Sequence, residues 1–189
     1  MIVLESTWLG HYEPSANQSL NSLVGEMMAN NGQAATAEEY GMIPFEARVL
    51  DTTRTFCEKI MSLVRFSYTE NPLEDLKNKI RHTYDLHKLL HHANIVEFFN
   101  SPSFDVVMLK VASDDAVSFR NNNQWLVHHP SEARIFKDLE SVWGELKSVY
   151  NSDFARLVYG VLPKEEEILQ SLDLIRKRLK PRTWTIESL

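Results

Sequence analysis

A single cysteine, Cys57, stands in a chain of 189 residues. That excludes an internal disulfide framework and fits a reducing cytoplasm. Glycine and proline are scarce, at six and seven, which argues against a turn-rich all-β fold. No apolar run approaches the ~20 residues that a membrane-spanning helix needs, and no membrane role is expected. The opening Met1-Ile2-Val3-Leu4-Glu5 lacks the basic-then-apolar pattern of a signal peptide. Neither Gly-x-Gly-x-x-Gly nor Gly-x-x-x-x-Gly-Lys-Ser/Thr is present, so both glycine-rich nucleotide loops are missing. The Gly-x-Ser-x-Gly elbow of serine hydrolases is missing too. Positive charge is in deficit: the net charge is -6, so broad adhesion to nucleic acid is not expected, although a local basic pocket fits.

What is present is the makeup of a folded protein, with 43% hydrophobic and 24% charged residues. The length suits one domain, or one and a half, with a real core. Ile2, Val3 and Leu4 read as a strand. A helix is expected from about Ser15, with Leu20, Leu23, Val24, Met27 and Met28 on one stripe, ended by Asn30-Asn31-Gly32. Ile43 to Leu50 alternates as a second strand. From residue 51 the pattern is helical throughout. Thr52 or Thr53 caps a helix striped by Phe56, Ile60, Leu63 and Val64. Asn71-Pro72 opens another with Leu73, Leu76, Ile80 and Tyr84, and Ser103 starts one that runs to about Phe119. A loop at Asn121-Asn122-Asn123 carries Trp125. Ser131 caps a long helix through Phe136, Leu139, Trp143, Leu146 and Tyr150. Two more pass through Phe154 and Val158, and from Pro163 through Ile168, Leu172, Ile175 and Leu179. The expected fold class is α+β, mostly α: a short β-containing segment at 1–50 and a multi-helix domain at 51–189. Two strands do not make a stable sheet alone, so a further segment or another chain is expected to extend or cover them.

The densest polar constellation is Arg54-Thr55-Phe56-Cys57-Glu58-Lys59 followed by Lys79-Ile80-Arg81-His82-Thr83-Tyr84-Asp85-Leu86. At about 100° per residue, Lys59 lies roughly 60° from Phe56 and 40° from Leu63, at the edge of the buried stripe. Arg81 and Asp85 form an i, i+4 pair on one helical face. Antiparallel packing of the two helices would bring Lys59 to that face. Such a site offers cations to phosphate oxygens and a carboxylate to a metal or a hydroxyl proton. A structural ion-pair cluster is the alternative. His87 and His91 have a zinc-compatible i, i+4 spacing, and His82 could join them, but Lys88 stands where a His-Glu-x-x-His motif needs glutamate. His87 also falls on the face of Leu76, Ile80 and Tyr84, as a packed histidine does. Cys57 sits beside the apolar stripe and reads as a buried thiol.

Arg54-Thr55-Phe56-Cys57-Glu58-Lys59-Ile60 and Arg81-His82-Thr83-Tyr84-Asp85-Leu86 together resemble the C-terminal motifs of the AbiEii/AbiGii toxin nucleotidyltransferases, roughly Arg-Thr-Phe-Trp-Glu-Lys and Arg-His-aromatic-Tyr-Asp-Leu. Cys57 replaces a common Trp, and Thr83 a common aromatic. The resemblance covers essentially the whole chain. It implies a polymerase-β-like sheet followed by helices, a cytoplasmic enzyme using a nucleoside triphosphate with Mg²⁺, an RNA or tRNA acceptor, and an antitoxin partner. By the same resemblance Lys59 contacts the triphosphate and Asp85 is the essential helical-domain carboxylate. Arg54 and Arg81 bind phosphate or hold those two in place, and Glu5 matches a strand position where such enzymes place a third metal-binding carboxylate.

One departure is large. The family signature of Gly-Ser followed by a strand bearing Asp-x-Asp is found nowhere in the chain. Two-metal transfer needs that pair, because alternate strand positions put both carboxylates on one face. Asp138-Leu139-Glu140, read as helical, diverges by about 200°. The expectation is therefore the C-terminal portion of a nucleotidyltransferase, its metal-binding half supplied from elsewhere, and inactive alone. The alternative is a non-catalytic interaction or nucleotide-binding module that pairs through its exposed sheet edge, as a homodimer or with another chain.

Overall fold

The computed structural model describes residues 14–180 and 183–186. The chain divides into two compact units, Met1–Asp51 and Thr52–Leu189. The Ile2–Leu4 strand and Glu5 lie outside the described residues.

In the first unit, strand β1 (Ser15–Leu20) pairs antiparallel with β2 (Phe45–Leu50), from Ser15 opposite Leu50 to Leu20 opposite Phe45. Between them run helices α1 (Leu23–Asn30) and α2 (Ala34–Glu39). The helix expected from Ser15 is thus a strand followed by a shorter helix. Ser15, Asn17 and Ser19 are weak helix formers. Ser22 sets the start, its Oγ accepting the Gly25 amide at 2.9 Å, which satisfies an amide that no helical carbonyl reaches. Gly32 follows α1 at φ +73°, a conformation cheap only for glycine. The stripe expected to be core is exposed: Leu23 is 84% accessible, and Val24 and Met27 are also open. β2 begins at Phe45 rather than Ile43 and keeps the expected alternation only in part: Ala47 and Val49 are half-buried, whereas Phe45 is exposed.

The second unit is all helical and holds the main core. α3 (Thr52–Phe66) buries Phe56, Cys57, Ile60, Met61, Leu63 and Val64, the stripe its periodicity specifies. α4 (Pro72–Asn78) opens on Pro72, whose missing N–H costs nothing in a first turn. Lys79 breaks the expected continuous helix, and α5 (Ile80–Leu89) follows. α6 (Ala93–Asn100), not foreseen, precedes α7 (Ser103–Ser118). After single 3-10 turns at Gln124–Val127 and Pro130–Glu132 come α8 (Arg134–Lys137) and α9 (Leu139–Val149). The single helix expected from Ser131 is therefore interrupted at Asp138. The helix expected through Phe154 and Val158 is instead a π turn at Tyr150–Phe154 and a 3-10 turn at Ala155–Leu157. α10 (Glu165–Leu179) begins with three glutamates on its positive end.

Phe56, Phe99 and Phe104 anchor the packing of α3, α6 and α7, with ring centroids 5.2 to 6.2 Å apart in edge and tilted contacts. Arg178 ties α10 to the start of α7. Its guanidinium makes a forked contact to Asp105 at 2.8 and 3.1 Å and also donates to the carbonyls of Phe99 and Ser101. No described helix is long and apolar enough to cross a membrane.

Candidate functional site

α3 and α5 pack together, and their polar edges supply the site. Lys59, at the margin of the α3 stripe, places Nζ 2.6 Å from Oδ2 of Asp85 on α5. The pair is neither buried nor free: Lys59 is 17% and Asp85 24% exposed. Arg81, one turn before Asp85 and well exposed, stands with Nε 3.7 Å from the same oxygen. Lys79, in the break between α4 and α5, holds its ammonium 5.0 Å from the centroid of the Phe66 ring.

His82 reports the field of this cluster. Burial pushes its imidazolium down to about 4, and the charges of Lys59, Lys79 and Arg81 push the same way, against Asp85. Its Nδ1 is buried with no hydrogen-bond partner. The ring is therefore neutral at pH 7, set among three cations and one carboxylate. The surplus of positive charge suits an anion with several oxygens.

Arg54, expected to bind phosphate or to hold Lys59 and Asp85 in place, is 2% exposed. Nε donates to Glu58 at 2.7 Å and a terminal nitrogen to Asp114 of α7 at 2.8 Å. These bonds clamp α3 to α7 inside the fold. Cys57 is fully buried, and burial pushes its thiol pKa up, as an inert core thiol requires. His87 is buried with Nδ1 2.9 Å from Ser171 Oγ of α10, and Nδ1 of His91 lies 2.8 Å from the His87 carbonyl. Among the described residues no three His, Cys, Asp or Glu side chains gather as metal ligands. Glu5 lies outside the described residues.

The structure thus brings Lys59, Asp85 and Arg81 together and holds Arg54 apart in the core. Sequence reasoning quoted Lys79 and His82 but gave Lys79 no role. It missed Asp114, whose signal was an Asp114-Asp115 pair in a helix otherwise buried at Val111, Ala112 and Ala116.

A family model described as nucleotidyl transferase AbiEii toxin, type IV TA system, matches residues 2–170. No curated protein and no solved structure matches the chain.

Proposed function

The chain belongs to the AbiEii nucleotidyl transferase toxin family of type IV toxin–antitoxin systems, and from that premise we propose that Lys59, Asp85 and Arg81 form the nucleotide-gripping face of its helical domain. The observation that carries the reading is the 2.6 Å contact of a partly exposed Lys59 with Asp85. An ammonium has three donors. Asp85 takes one and fixes the direction of the side chain, which leaves two for oxygens of a nucleoside triphosphate. Arg81 adds a planar fork suited to a second phosphate. Phosphoryl chemistry asks mainly for such positioning and charge. Arg54 lies behind this face, and its bonds to Glu58 and Asp114 hold α3 on α7 as part of the fold.

The donor set does not fit Mg²⁺. Asp85 is already flanked by two cations, and a divalent ion there would meet their charge at close range. In this reading the Asp-x-Asp pair of metal-binding carboxylates is supplied from elsewhere, with Glu5 adding a third, the helical domain is a partial site, and the isolated chain does not turn over. The acceptor, RNA or tRNA, and the antitoxin complete a system that acts in the cytoplasm.

Binding of a fluorescent nucleoside triphosphate to the wild type and to Lys59→Met tests the grip. A loss of about tenfold or more in affinity is expected, and equal affinities would overturn it. A radiolabelled transfer assay tests the second part: Mg²⁺-dependent product from this chain, lost in Lys59→Ala, would refute the claim of inactivity.

The exposed sheet supports a second reading. Among the described residues β1 pairs with β2 alone, and all of β1 after Ser15 is exposed; a sheet edge left unpaired in this way would take a strand from a second copy of this chain. A monomer by light scattering at tens of micromolar would remove it.

A further inference from the structure

A polar cavity of about 410 Å³ opens at the C-terminal end of α3, between the loop leading to α4 and the turn at Asn122–Trp125. Its lining shares no residue with the Lys59, Asp85 and Arg81 cluster, and it includes one buried donor without a partner. Trp125 is 5% exposed, yet its indole N–H has no acceptor. The other described tryptophans satisfy theirs: Trp143 donates to Glu165 at 3.1 Å and Trp184 to the Leu126 carbonyl at 3.0 Å. A buried N–H that makes no hydrogen bond forfeits its hydration without a replacement, so the Trp125 donor calls for an acceptor.

Arg65 lines the same cavity. Its guanidinium carbon lies 4.1 Å from the Phe119 ring centroid and 4.9 Å from that of Phe66. Burial works against its charge, and Asp115 offsets part of that cost. Stacked on aromatic carbon, the guanidinium keeps its N–H edge for bonding. The wall also carries Glu70 and Asp75. These carboxylates repel a dianion such as phosphate, while they accept from an ammonium.

We propose that this cavity is a binding site for a small zwitterion of the amino-acid class, its carboxylate held by Arg65 and the Trp125 indole N–H and its ammonium by Asp75 and Glu70. A planar carboxylate fits the guanidinium fork with two parallel bonds and satisfies the orphaned indole at the same time. Asn122, also in the wall, adds an amide that can donate or accept.

The test is a titration of the full chain, labelled with ¹⁵N at its indoles, followed by two-dimensional NMR. The Trp125 indole signal is assigned by its loss in Trp125→Phe. Free amino acids are added first as a mixture and then singly, with inorganic phosphate and ammonium acetate as controls. The expected result is a saturable shift of the Trp125 signal with at least one amino acid. Arg65→Lys and Asp75→Asn should each weaken it about tenfold, and both controls should leave it in place. No shift with any amino acid at ~10 mM, an equal shift with phosphate, or unchanged affinity in the folded Asp75→Asn protein would overturn the proposal. Nucleotide affinity at Lys59 is measured separately, so failure here leaves the other site standing.

Discussion

Lys59 and Asp85, 26 residues apart in the chain, meet at 2.6 Å with both side chains still in reach of solvent. A purely structural ion pair and a ligand grip make different demands on this geometry. The structural pair needs only opposite charges, whereas the grip needs the ammonium on α3 and the carboxylate on α5. Exchanging the two, Lys59→Asp with Asp85→Lys, should keep most of the folding stability that either single change loses. The exchange should nevertheless weaken nucleoside triphosphate binding about tenfold or more. Denaturant titration and nucleotide binding on the four proteins check this. Restored binding in the exchanged protein would make the pair a simple charge contact.

Arg54 offers the opposite case. Because its guanidinium is enclosed between Glu58 and Asp114, Arg54→Leu removes the cation that bridges these two carboxylates, although Lys110 stays 3.7 Å from Asp114. Removing one partner of a fully buried ion pair costs about 3–5 kcal/mol; with Glu58 36% exposed and Lys110 still near Asp114, urea unfolding should show a loss below that range. Nucleotide affinity of the protein that remains folded should stay within about twofold. A stable Arg54→Leu protein that no longer binds nucleotide would place Arg54 at the ligand.

What could be read from the residues alone follows physical lines. The α3 stripe was legible because Phe56, Ile60, Leu63 and Val64 repeat at helical spacing and all are buried. That same arithmetic put Lys59 at the edge of the stripe, where it meets α5. β1 was not legible: Ser15–Leu20 is largely polar and exposed, so it has no alternation to read. The apparent stripe from Leu20 to Met28 spans the end of a strand and a separate helix. α6 is only eight residues long, too short for its period to stand out. The cavity lined by Arg65 and Trp125 joins a helix end to a turn distant in sequence, and nothing in either segment announces the other. The burial of Arg54 was hidden because its second partner, Asp114, lies 60 residues away.

Two titrating groups should mask each other. His82 is held down at about 4, from an ordinary 6.5. Between those values the unfolded chain takes up a proton that the folded one refuses, so this group makes stability rise with pH. Asp115 is pushed up to about 6, from 3.8, chiefly by burial. Between those values the folded chain holds the extra proton, so this group makes stability fall as pH rises. Each proton is worth up to ~1.4 kcal/mol per pH unit, and over their shared range the two slopes oppose. Asp115→Asn should therefore gain stability with pH between about 4 and 6.5 more steeply than wild type, and His82→Gln should lose it. Urea midpoints across that range decide the matter, and equal slopes in all three proteins would contradict both assignments.

Gly25 gives a test in which propensity and packing disagree in sign. Alanine in the middle of a helix is normally better than glycine by about 1 kcal/mol, and Gly25 lies inside α1 with ordinary helical backbone. A Cβ added there, however, would sit 2.5 Å from Asn21 Oδ1 and 2.6 Å from the Met42 carbonyl oxygen. The asparagine can turn away. The carbonyl is backbone, and the Met42 amide is itself bonded to the Ala37 carbonyl at 2.8 Å, so relief requires the α2-to-β2 turn to move. Gly25→Ala should then speed hydrogen exchange across α1, α2 and β2. If residues 1–50 form a domain distinct from 51–189, as we propose, protection of the buried α3 amides should stay as in wild type. Slower exchange in α1 would mean that helix propensity outweighs the clash, and faster exchange in α3 as well would mean that the two segments unfold as one.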